Sequence, residues 1–170
     1  MDTGRLGKKR LRRKILIVDD NRNLLVSLSE LLEREGFAPE PTADMDSARS
    51  LYRRLQPDIV LLDCDIQGHD GLELLNDFRA EPPVSPVIVM TARDDPATRL
   101  RCRQLGADSL VSKPFRTERL ISEIQRLLIV QSMLAPEPLS GHLKLLAYHL
   151  PKLLGPRPPR KPPRRGPDEP

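Results

Sequence analysis

Tryptophan is absent from this chain, and three Phe and two Tyr make aromatic residues only 3% of its 170 positions. Hydrophobic residues still amount to 38%, so a core built from them is an aliphatic one. Cysteine is also scarce. Cys64 and Cys102 show neither metal-ligand nor redox spacing, which excludes a disulfide scaffold and reads as reduced thiols in a cytosolic protein. No apolar run approaches the length of a membrane span. Residues 15–18, behind the basic N-terminus, are too few for the apolar region of a signal peptide. No GxGxxG or P-loop follows any predicted strand, which argues against a nucleotide-binding fold. The length bounds the chain at one domain with appendages.

Charge is present in abundance but unevenly. Residues 1–14 hold seven basic residues and one acid, and residues 151–170 hold six basic and two acidic. The middle, 15–150, holds 15 basic and 21 acidic. The net charge of +4 therefore belongs to the ends. An acidic body suits a metal site better than a nucleic-acid surface.

The stretch 59–71, Ile-Val-Leu-Leu-Asp-Cys-Asp-Ile-Gln-Gly-His-Asp-Gly, organises the rest. Its apolar run followed by turn residues reads as a strand buried on both faces, with Asp63 at its carboxyl end. Residues 15–18 form a similar short strand ending in Asp19 and Asp20, with Asn21 placed to cap the next helix. Leu24, Leu25, Leu28, Leu31 and Leu32 give that helix its apolar face, and Gly36 its stop. A second strand over 37–42 carries Pro39 and Pro41, which confines it to a sheet edge. Ala48, Leu51, Tyr52 and Leu55 mark the second helix; Leu72, Leu75 and Phe78 mark the third. A strand over 87–90 ends at Thr91, and residues 96–105 form a weakly amphipathic helix bearing Arg99, Arg101 and Arg103. Leu110 and Val111 form a fifth strand before Lys113, and Leu120, Ile121, Ile124, Leu127 and Leu128 mark the last helix. Five βα repeats predict an α/β fold: a doubly wound five-stranded parallel sheet, (βα)5, with helices on both faces.

A parallel sheet gathers Asp19, Asp20, Asp63, Thr91 and Lys113 at the carboxyl ends of its strands, where such sheets place their ligands. A single strand-end Asp is ordinarily a helix cap, but five such residues at the right strands form one cleft. Three carboxylates together repel one another. A hard divalent cation relieves this, and oxygen ligands favour Mg²⁺. In that setting Asp63 is a carboxylate nucleophile for phosphorus, with Lys113 and Thr91 binding phosphoryl oxygens.

The motifs 15–21 (Ile-Leu-Ile-Val-Asp-Asp-Asn), Leu61-Leu62-Asp63, Gly68 with Asp70-Gly71, Met90-Thr91-Ala92, and Gly106-Ala107 with Lys113-Pro114-Phe115 resemble the receiver domain of two-component response regulators. The resemblance covers about residues 14–130. It implies a flavodoxin-like strand order of 2-1-3-4-5. It also implies that Asp63 accepts phosphate from a sensor histidine kinase or phosphotransfer protein. Asp20 and Asp63 bind Mg²⁺ with the backbone carbonyl of Asp65, and Asp19 acts through water. The Lys113–Pro114 bond is expected to be cis. The sequence departs from the family pattern at four positions. Leu110 replaces the usual aromatic three before the lysine, whose rotation accompanies activation. Gln67 replaces a common proline, which is expected to loosen the loop after Asp63. Asp65 adds a carboxylate near the site. Arg93 sits where the family tunes dephosphorylation.

The predicted organisation is a basic disordered arm over 1–13, a receiver over 14–131, a linker and short amphipathic helix over 132–154, and a Pro/Arg/Lys-rich disordered tail over 155–170. In the last helix, Leu139, Leu143, Leu146 and Leu150 share a face. His142 and His149 are read as surface residues, and His69 as a solvated loop residue. Some 40 residues after the receiver are too few for a DNA-binding output domain. The expected output is therefore a protein effector engaged by the 96–128 face in a cytoplasmic, single-domain regulator with no independent enzyme activity. Alternatives are a transcriptional regulator acting through its basic tails or a lost output domain, and a receiver that works without phosphate. The tails lack interleaved aromatics, so their contact with nucleic acid would be non-specific and salt-sensitive.

Overall fold

The computed structural model describes residues 12–134. The first eleven residues, the 139–150 leucine face, His142, His149 and the Pro/Arg/Lys-rich tail lie outside the described residues.

Five strands form one parallel sheet: β1 (Lys14–Val18), β2 (Ala38–Thr42), β3 (Ile59–Asp63), β4 (Val87–Thr91) and β5 (Ser109–Ser112). They lie in the order β2-β1-β3-β4-β5. The helices α1 (Arg22–Arg34), α2 (Met45–Leu55), α3 (Leu72–Ala80), α4 (Pro96–Gln104) and α5 (Thr117–Leu134) alternate with them. A hairpin of two-residue arms, Asp65–Ile66 and His69–Asp70, stands outside the sheet between β3 and α3. Among the described residues no helix is long and apolar enough to cross a membrane.

Strand alternation builds two cores. On one face Ile15, Ile17, Ile59, Leu61, Ile88 and Met90 pack with Leu25, Leu28 and Leu32 of α1 and Leu120, Ile124 and Leu127 of α5. On the other, Leu16, Val18, Val60, Leu62, Val87 and Val89 meet α2, α3 and α4. Because the side chains of a strand alternate, every residue of β3 is buried, one set on each face. Helix α4 contributes a single buried residue, Cys102, so it is the most lightly anchored of the five.

The strand with two prolines is an edge for a visible reason. The Ala38 amide donates to Arg13 O at 2.8 Å, and Thr42 O accepts from Asp19 N at 3.2 Å. Even-numbered residues therefore face β1, and Pro39 and Pro41 turn their missing N–H groups to the open edge. Asn21 caps α1 as expected, accepting from Asn23 N and Leu24 N at 3.1 Å each. Gly36, at φ +86°, supplies the left-handed residue after the helix.

Two limits differ from the sequence expectation. Arg13, assigned to the disordered arm, belongs to the fold: its guanidinium lies 2.7 Å from Asp58 and its carbonyl binds β2. Helix α5 continues to Leu134, past the limit at 131. The apolar pattern weakens there, since Ile129, Val130, Met133 and Leu134 are exposed, so periodicity gave no signal for the extra turn.

Candidate functional site

The carboxyl ends of β1 and β3 lie side by side because Val18 pairs with Leu62. One residue further, Asp19, Asp20 and Asp63 come together, each with a carboxylate oxygen within 4.8 Å of the others. Asp19 is fully buried and Asp63 nearly so, whereas Asp20 faces solvent. β5 delivers the counter-charge. Its following residue, Lys113, donates its amide to Thr91 O at 2.7 Å and sends its ammonium inward. Lys113 Nζ lies 2.6 Å from Asp19 Oδ2 and 3.0 Å from Asp63 Oδ2. The Lys113–Pro114 bond is cis, as the resemblance implied.

Electrostatics here are dominated by burial. Desolvation raises the Asp63 carboxyl above its ordinary value; Lys113 opposes the rise, and the nearby Asp19 charge adds to it. Burial disfavours the Lys113 charge, but hydrogen bonds to Asp19 and Asp63 outweigh it and hold the ammonium above its ordinary value. Three carboxylates against one ammonium leave two formal negative charges, which match a divalent cation. The donors are hard oxygens, and exposed Asp20 leaves the cluster open on one side, so the residues fit Mg²⁺.

Thr91 is buried beside this cluster. Its hydroxyl donates to Arg93 O and accepts from Arg93 N, both at 3.0 Å. It borders a cleft of about 280 Å³ shared with Cys64, Asp65, His69, Arg93 and Arg101. Burial pushes the Cys64 thiol up to about 12. It therefore holds no thiolate at neutral pH to compete with Asp63 as a nucleophile.

The loop after Asp63 is tighter than expected. Gln67 sits at φ +55°, a conformation closed to proline, and its amide donates to Asp20 Oδ2 at 2.9 Å. Its side chain also donates to Ala43 O at 3.1 Å. Gln67 thus clamps the acidic cluster instead of loosening it. Asp65 turns its carboxylate to Gly68 N at 3.1 Å, away from the other three. Gly71 closes the loop: its amide donates to Cys64 O at 2.8 Å, and a Cβ there would lie 2.1 Å from Asp63 O.

Some site contacts carried no sequence signal. Arg101 pairs with Asp70, and Arg99 with Asp94, which also accepts from Ser112. Arginine spacing on α4 showed an exposed face but could not show which acids across the fold it meets. Leu110 is partly buried and packs on the α2/α3/α4 core. His69 is exposed, as expected.

A five-stranded parallel α/β sheet with this acidic cluster and lysine at its carboxyl edge defines a flavodoxin-like receiver. The chain belongs to the response regulator receiver domain family, whose model matches residues 15–125. It is 34% identical over 115 residues to the DNA-binding response regulator MtrA of Mycolicibacterium smegmatis, covering 68% of this chain and 50% of that protein. The chain thus spans about half the length of this curated relative. Among solved structures it is similar to a CheY-like receiver domain protein of Methanospirillum hungatei JF-1, with TM-score 0.69, 26% identity, and coverage of 73% of this chain and 99% of that one. A response regulator from Thermotoga maritima gives TM-score 0.63, 26% identity, and coverage of 69% and 98%.

Proposed function

We propose that this receiver accepts a phosphoryl group on Asp63 from the phosphohistidine of a sensor histidine kinase or phosphotransfer protein. The observation that carries the reading is Lys113 bridging Asp19 and Asp63 inside a cluster of three carboxylates.

An Asp63 carboxylate oxygen attacks phosphorus. The P–N bond of the donor breaks, and its electron pair leaves with the imidazole nitrogen. The product is an acyl phosphate on Asp63. Burial leaves the Asp63 carboxylate poorly solvated, which favours its reaction. Lys113 exchanges its contact with Asp63 for a phosphoryl oxygen while Asp19 holds it in place. Thr91 turns its hydroxyl from the Arg93 carbonyl to a second phosphoryl oxygen, which draws on the segment leading into α4. Asp20, Asp63 and the Asp65 carbonyl would hold Mg²⁺, with Asp19 acting through water, and the bound ion would supply positive charge to offset that of the transferring group. Gln67 fixes Asp20 for this role through its amide. Water later attacks phosphorus and returns Asp63 to a carboxylate.

Phosphorylation biases the lightly anchored α4 and the rest of the 96–128 face, which meets a protein effector. The test is incubation with acetyl phosphate, with and without Mg²⁺, read by intact mass. A Mg²⁺-dependent gain of one phosphoryl group that is absent in Asp63→Asn supports the reading. Equal gain in the variant rejects it.

A further inference from the structure

Cys64 and Cys102 are the two cysteines of the chain, and no spacing pattern pairs them. The fold brings them together. Cys64 follows Asp63 at the end of β3, and Cys102 is the one buried residue of α4. Both pack in the core that the sheet forms with α2, α3 and α4. Their thiols are hydrogen-bonding neighbours, and the Thr91 hydroxyl lies within the same reach of Cys64.

The pair is enclosed but not sealed. Cys102 is 1% exposed and Cys64 is partly buried. Cys64 borders the cleft of about 280 Å³ beside Thr91, and Cys102 borders a second cavity of about 240 Å³ between α4 and β5. Thr98 and Arg101 of α4 line the first opening, and Arg99 and Arg103 line the second, so the helix stands between two routes to the sulfurs.

We infer that Cys64 and Cys102 are a redox-sensitive pair, which hydrogen peroxide converts to a disulfide that ties α4 to the end of β3. Cys64 Sγ gives up its proton and attacks one peroxide oxygen. The O–O bond breaks, the departing oxygen leaves as water, and Cys64 becomes a sulfenic acid. Cys102 Sγ then displaces the hydroxyl group, which forms the S–S bond and releases a second water. The two sulfurs lose two electrons, and one peroxide becomes two waters. A dithiol reverses the change by exchange. Burial keeps the Cys64 thiol protonated, so the first step is slow and answers to sustained oxidant. Disulfides of this transient kind suit a sensing role in a reducing compartment.

The cross-link grips α4 by its one buried side chain. Its ion pairs, Arg99 with Asp94 and Arg101 with Asp70, lie nearer the surface and can exchange with water. A tethered α4 resists the shift that phosphorylation would bias, so oxidation separates phosphate uptake from output. That consequence rests on the proposed phosphorylation of Asp63; formation of the disulfide does not.

The test treats the full chain, first reduced and then freed of reductant, with hydrogen peroxide. Intact mass, peptide mapping without reductant and amide hydrogen exchange are followed, with and without acetyl phosphate and Mg²⁺. The expected product has lost two hydrogens, yields a peptide linked through Cys64 and Cys102, and returns to the dithiol with dithiothreitol. Exchange across α4 should slow about tenfold in the oxidised chain, the scale of a cross-link's effect on local opening. Phosphorylation should alter that exchange in the reduced chain and not in the oxidised one. Cys102→Ala should take up phosphate like the parent chain, and its α4 exchange should not respond to peroxide. Four results overturn the inference: thiols that stay reduced, oxygen added to sulfur without a cross-link, disulfides between two chains, or a cross-link that leaves α4 exchange unchanged. An oxidised chain whose α4 still responds to phosphorylation also overturns it. A chain that forms the cross-link and slows α4 but takes up no phosphate rejects the receiver chemistry and upholds the disulfide.

Discussion

Lys113 and Asp19 meet at 2.6 Å across 94 residues of chain, and Asp19 is fully buried. Lys113→Met removes that buried charge's cationic partner, which costs about 3–5 kcal/mol when one member of such a pair is deleted. Urea unfolding in chelator checks this, and Mg²⁺ should restore part of the loss by supplying positive charge to the same carboxylates. A variant as stable as the parent would show that Lys113 has no structural part in the cluster.

Asp63 carries the opposite expectation. Its folded-state pKa is raised by burial above the ordinary 3.8. The stability linked to this group is therefore fully present below the unfolded value and is lost as pH rises through the folded one. At neutral pH the charged carboxylate is a net cost, so Asp63→Asn should stabilise the metal-free fold while abolishing phosphate uptake. The gain should shrink as the pH falls towards 4. Thermal unfolding in chelator over that pH range checks the sign; a variant less stable than the parent at pH 7 contradicts it.

Gly71→Ala places a methyl group 2.1 Å from the Asp63 carbonyl, in backbone that cannot yield as a flexible side chain can. A loss of about 1–3 kcal/mol is expected, the usual range for overpacking. Phosphorylation should slow as well, because Asp63 shifts with its own carbonyl. Urea unfolding and a phosphorylation time course measure the two effects separately.

Gln67→Pro installs the residue common in the family at this position. Here it should destabilise the loop by about 1–3 kcal/mol, because proline cannot adopt φ +55° and lacks the N–H that holds Asp20. Metal titration should show weaker Mg²⁺ binding. Unchanged affinity would remove the amide of Gln67 from the site.

Much of this arrangement was legible in the sequence because parallel strands buried on both faces leave little ambiguity. Each of the four apolar runs, at 15–18, 59–62, 87–90 and 110–111, ended next to a polar residue, and topology alone gathers such ends. Pro39 and Pro41 announced the edge strand because proline removes a donor. The loop from 64 to 71 was less readable. Gln67 looked like a loss of stiffness since its positive φ and its bond to Asp20 depend on where the chain folds back. Nothing local marks Gly71 as a point of contact with Asp63 O. The Arg101–Asp70 pair joins residues 31 apart, beyond the reach of helical or strand spacing.

Of all the acids at this edge, Asp63 is the one expected to carry the phosphoryl group. The most direct test treats the phosphorylated full chain with borohydride, which reduces an acyl phosphate to an alcohol and releases phosphate, followed by peptide mass mapping. Homoserine is expected at position 63 and nowhere else. Homoserine at Asp19, Asp20 or Asp65 with position 63 unchanged would contradict it.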